Sequence, residues 1–100
     1  MEKKWVAGPE LDQLVHQKVR RGEGLVLPYS TDIAAAWELW RGLPRPKRLH
    51  VGEDRVHHCM CGGTPEGADG VFKPAIWEQA ERMALVICLA ALKYAERQQG

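Results

Sequence analysis

The residues with the most chemical potential lie in the run His57-His58-Cys59-Met60-Cys61. In an extended strand, side chains alternate, so His57, Cys59 and Cys61 share one face. Imidazole and thiolate together are a zinc ligand mixture. Cys-x-Cys is not the usual Cys-x2-Cys spacing, however, and a fourth ligand would have to come from His50 or Cys88. The alternative reading is of small, half-buried strand residues, and no metal or other cofactor is expected. A Cys–His nucleophile pair would need both groups on one face, and neighbouring strand positions such as His58 and Cys59 point apart.

The second chemical feature is basic. Arg41 to Arg48 reads Arg-Gly-Leu-Pro-Arg-Pro-Lys-Arg, with four cations and no acid. Arg20, Arg21 and Arg55 add to it. Arginine forks match phosphate oxygens, and an aromatic ring beside them can stack a base. The expected ligand site joins Arg45, Lys47, Arg48 and Arg55 to Tyr29 and Trp40. The plainer reading of the cations is a solvated rim. Tyr29 reads as a packing staple or a stacking surface. Trp37, Trp40 and Trp77 lie at helical spacing and read as core. The chain has no Gly-x-Ser-x-Gly, no Walker-type phosphate loop and no His-Glu-x-x-His. The expectation is binding without catalysis, so not an enzyme.

Three helices and one hairpin must position these groups. Pro9 opens a helix over 9–21, with Leu11, Leu14, Val15 and Val19 at helical spacing and Gly22 as its stop. Ser30 is the natural N-cap of a helix over 30–41, whose stripe is Ile33, Trp37 and Trp40. Residues 47–61 read as a β-hairpin about a Gly-Glu-Asp turn. Residues 62–73 are a Gly-rich loop and a candidate lid. Pro74 opens a third helix over 75–97, with Ile76, Ala80, Met83, Ile87 and Tyr94 on one face. Residues 1–8 read as a flexible arm, and Leu25–Leu27 as a small strand or a plug.

The 100 residues form a single domain, 1–100. With 45% apolar and 27% charged residues, composition excludes disordered, collagen-like and coiled-coil classes. Net charge is +1, too small for a whole-domain grip on nucleic acid, so nucleic acid is not the expected partner. The longest apolar run, Met83–Leu92, has ten residues, too few to span a membrane. Met1–Ala7 reads as no secretory signal, and the odd count of three cysteines as reduced thiols in the cytoplasm.

Two stretches resemble a known family. Leu11–Val19 is similar to the first helix of the phage ABA sandwich domain family. Pro28-Tyr29-Ser30-Thr31-Asp32-Ile33-Ala34-Ala35-Ala36-Trp37-Glu38 resembles its second helix and lead-in, and Ala84–Lys93 its closing helix. The resemblance implies a phage or prophage protein with an antiparallel sheet between helical layers. The segment before Pro28 is only about eight residues here, shorter than in the family. The expected fold is therefore α+β, a shortened α-β-α sandwich reduced toward a small two-layer fold and completed by a partner subunit, so a homo-oligomer. Phage proteins of this size include oligomeric sponges. By analogy the expected function is sequestration of a host nucleotide immune signal, a small phosphorylated or cyclic nucleotide. The alternative is a phage structural module, or one that binds protein or nucleic acid.

Overall fold

A computed structural model describes residues 6–22, 24–45, 47–52, 55–62 and 74–99. The element order is α1 (Pro9–Lys18), α2 (Ile33–Arg41), β1 (Lys47–Val51), β2 (His57–Cys61), β3 (Ile76–Ala80) and α3 (Met83–Gln99). The three strands form one antiparallel sheet in the order β1-β2-β3. The fold is α+β. Among the described residues, no helix is long and apolar enough to cross a membrane.

α3 is the centre. Its residues Val86, Ile87, Cys88 and Ala90 are fully buried. An apolar girth on nearly every side requires cover on more than one side. β2 and β3 pack on one side of α3, and α1 and α2 pack on α3 as well. The side of the sheet toward α3 carries Cys59, Cys61 and Ile76, all buried, and Glu78, whose carboxylate meets Lys93 of α3 at 3.5 Å. Among the described residues α3 is the helix packed on the sheet, against β2 and β3, and α2 meets it through the side chain of Lys47 on Trp40.

The expected hairpin is present as β1 and β2. Three other expectations need correction. Residues 75–82 are not helical: 76–80 form β3, and the third helix starts at Met83. Ile76, Glu78 and Ala80 alternate inward with Trp77 and Gln79 outward, a period of two that overrides the helical spacing of the same apolar residues. The second helix starts at Ile33, not at 30, because Asp32 is its N-cap, accepting from the Ala34 N–H at 2.9 Å. The first helix ends at Lys18, where Arg21 turns to positive φ (55°) and Gly22 N–H donates to His16 O at 2.9 Å.

Ser30 has a different task from capping. It is fully buried, and its N–H and hydroxyl both donate to Asp12 Oδ1, at 2.8 and 2.7 Å. Its hydroxyl also accepts from Gly8 N–H at 2.9 Å. This network ties residue 8 of the expected flexible arm and the lead-in to α2 onto α1. Residues 1–5 of that arm, and 63–73 of the expected lid, lie outside the described residues.

Candidate functional site

Strand alternation divides the expected ligand residues. Lys47 and Arg48 are neighbours in β1 and so point to opposite faces. Lys47 turns toward α2, where its ammonium donates to the Trp40 carbonyl at 2.8 Å and lies 4.9 Å from the centre of the Trp40 ring. Trp37 leans on the same ring at 5.8 Å. Arg45 is exposed just before β1, beside this corner in sequence. Arg48 lies on the opposite face. Arg55 is exposed in the β1–β2 turn with φ 64°, at the other end of the hairpin. Four residues of strand, about 13 Å, separate Lys47 from the start of that turn. Tyr29 is 1% exposed and belongs to the core. The six residues therefore do not converge on one pocket, and Tyr29 is a packing residue rather than a stacking surface.

Trp40 stays half-buried, as its position at the helix end suggests. Trp37 (44% exposed) and Trp77 (58% exposed) are corrections to the core expectation. Trp37 lies on the α2 side that faces away from α3, and Trp77 points outward from β3.

The outward face of the sheet gathers a different set. The register places Arg48 opposite Met60, and Met60 opposite Trp77. It places His50 opposite His58, and His58 opposite Gln79. The His50 and His58 rings are 5.8 Å apart, and those of His58 and Trp77 6.0 Å. The Trp77 indole N–H donates to His58 Nδ1 at 3.2 Å. In that bond the Nδ1 lone pair is the acceptor. The result is an aromatic row across three strands with a guanidinium at its side. Trp77, His50 and His58 were not singled out for this role from the sequence. The signal available was Ile76-Trp77 followed by alternation, bounded by Pro74.

The inward side of β2 holds His57, Cys59 and Cys61 together, as the alternation requires. Burial pushes the Cys59 thiol up to about 12, with Cys61 and Glu78 adding to it and Lys47 opposing. Burial also raises Cys61, against Lys47 and Arg97. Metal binding and nucleophilic attack both use the thiolate, which this environment disfavours. Among the described residues no group of three His, Cys, Asp or Glu side chains is placed to hold a metal ion. His57 Nδ1 is buried without a hydrogen-bond partner among the described residues.

A cleft of about 400 Å³ opens between the end of α1, α2 and α3. Leu39, Leu43 and Ala91 form its floor, and Lys18, Arg20, Arg21 and Glu38 its rim. Its volume is in the range of small-molecule sites. Compared with family models, with curated proteins and with solved structures, the chain matches none.

Proposed function

We propose that this chain is a non-enzymatic binding module for a phosphorylated ligand with a planar ring, a nucleotide, received on the open face of the sheet. The observation that carries this reading is Trp77. It is 58% exposed, yet oriented by its hydrogen bond to His58, whose ring lies 6.0 Å away and is itself backed by His50. A large aromatic left exposed and held in place is a ready stacking surface. Stacking a base on such a ring is worth about 1–3 kcal/mol. Arg48, on the same face, supplies the fork for phosphate. The reading involves no thiolate nucleophile, since burial favours the neutral form of the Cys59 and Cys88 thiols.

The biological setting we infer, on the resemblance of residues 28–38 and on analogy alone, is a phage protein acting in the host cytoplasm as an oligomeric sponge for a nucleotide immune signal. The test is calorimetric titration with cyclic dinucleotides, cyclic trinucleotides and cyclic ADP-ribose isomers. Wild type is compared with Trp77→Ala, Arg48→Ala and Arg21→Gly. One nucleotide class should bind, and Trp77→Ala should weaken it about tenfold or more, in line with a stacking loss of about 1–3 kcal/mol. Loss of binding in Arg21→Gly, with Trp77→Ala unaffected, moves the site to the α1–α2–α3 cleft. If no nucleotide binds below about 100 µM, roughly 5.5 kcal/mol, the reading gives way to a protein or nucleic-acid interaction module.

A further inference from the structure

Leu25, Val26 and Leu27 are three consecutive aliphatic residues at 84%, 48% and 39% exposure. They run without helix or strand pairing between α1 and α2. Their backbone N–H groups donate to no backbone carbonyl among the described residues. Isolated exposed aliphatics are common in folded proteins, but a contiguous, uncharged run with unused backbone donors is strand material without a sheet.

Among the described residues, the same chain has a sheet edge without cover. β1 is the terminal strand of the order β1-β2-β3, and α3 packs on β2 and β3 but not on β1. The inward residues of β1 show the consequence: Leu49 is only partly buried, and Val51 is 49% exposed. In an antiparallel ladder, alternate residues of an edge strand turn N–H and C=O groups away from their one neighbour. An added strand that places Leu25 and Leu27 on the inward side would set them beside Leu49 and Val51, with Val26 on the outward side. Both ends of 25–27 are tied to α1 in the chain itself. Gly22 is bound to His16 and Ser30 to Asp12, so the segment is anchored away from its own sheet.

We propose that Leu25–Leu27 adds to the β1 edge of a second copy, and that the exchange is reciprocal in a two-fold dimer. Reciprocity satisfies both donors and both edges and closes the assembly, which a one-way addition does not. The proposal rests on the homo-oligomer part of the reading above and names its surface.

Light scattering coupled to size exclusion tests it on wild type, on the double variant Leu25→Asp/Leu27→Asp and on Val51→Asp. All three positions are exposed, so far-UV circular dichroism should match wild type in each. Wild type is expected at dimer mass, and each variant should weaken the dimer at least tenfold. Mixing the two variants should restore part of the dimer, because one donor and one edge remain intact across the pair. A monomeric wild type at high micromolar concentration overturns both the oligomer reading and this surface. A dimer that persists in both variants overturns the surface alone. A mass that grows without limit as concentration rises overturns the closed exchange.

Discussion

Ser30 and Asp32 stand two positions apart in a run of residue types that all cap helices, and they do different work. Asp32 caps α2 from the surface, whereas Ser30 is drawn into the core to hold Asp12. Residue type does not separate these roles; burial of the neighbouring Tyr29 does, because it pulls residue 30 inward with it. Asp12→Ala leaves a buried N–H and a buried hydroxyl without their shared acceptor. The expected loss is about 1.5–3 kcal/mol, the range for hydrogen bonds to a charged group, read by urea unfolding. Asp32→Ala should cost about 1 kcal/mol, the usual cap value, because its bond to Ala34 is at the surface. If the two losses came out reversed in size, the division of labour between these residues would be wrong. Arg55, at φ 64°, offers a cleaner probe of the turn than alanine does. Arg55→Gly removes the guanidinium while keeping a backbone conformation that glycine adopts freely. If Arg55 has no share in the ligand site, this variant binds nucleotide as wild type does.

At the scale of elements, α3 was legible because ten consecutive apolar residues cannot sit on a surface. Ile87→Ala should destabilise by about 2–5 kcal/mol, as core truncations do, and thermal or urea unfolding measures it. The hairpin was legible too, from the alternation of Leu49 and Val51 with Arg48 and His50. β3 was not. Ile76, Ala80, Met83 and Ile87 fit a helical face as well as they fit a strand running into a helix. Five residues are too few for periodicity to decide. The deciding fact is long-range: β2 has a free side, and 76–80 pairs with it from His57–Ala80 to Cys61–Ile76. Misplacing β3 hid the candidate site, since Trp77 and the two histidines meet only across three strands. The basic loop was visible as composition, but only the pleat shows that Lys47 serves Trp40 while Arg48 faces the open side.

For the molecule as a whole, the core is unusual in being assembled around thiols. Cys59 and Cys61 from β2 and Cys88 from α3 are all fully buried, on the two elements that pack together at the centre. Burial pushes both Cys59 and Cys88 from 9.0 up to about 12, with Asp12 adding to the rise at Cys88. Below the ordinary thiol value both states of the chain keep these protons, and folding is indifferent to pH on their account. As pH rises past about 9, the unfolded chain releases them while the folded chain holds them. The unfolded state then gains, and stability falls until pH passes about 12, where the folded thiols ionise as well. Urea unfolding from pH 7 to 11 should therefore show a plateau followed by a decline. Other alkaline groups titrate in the same range, so the decisive comparison is with the Cys59→Ala and Cys88→Ala variants, each weaker at neutral pH for the volume it loses. Their stability should decline less steeply above pH 9 than that of wild type. Parallel curves for all three proteins would mean that the thiols exchange protons in the folded state as readily as in the unfolded one, and that the core around α3 is open to water.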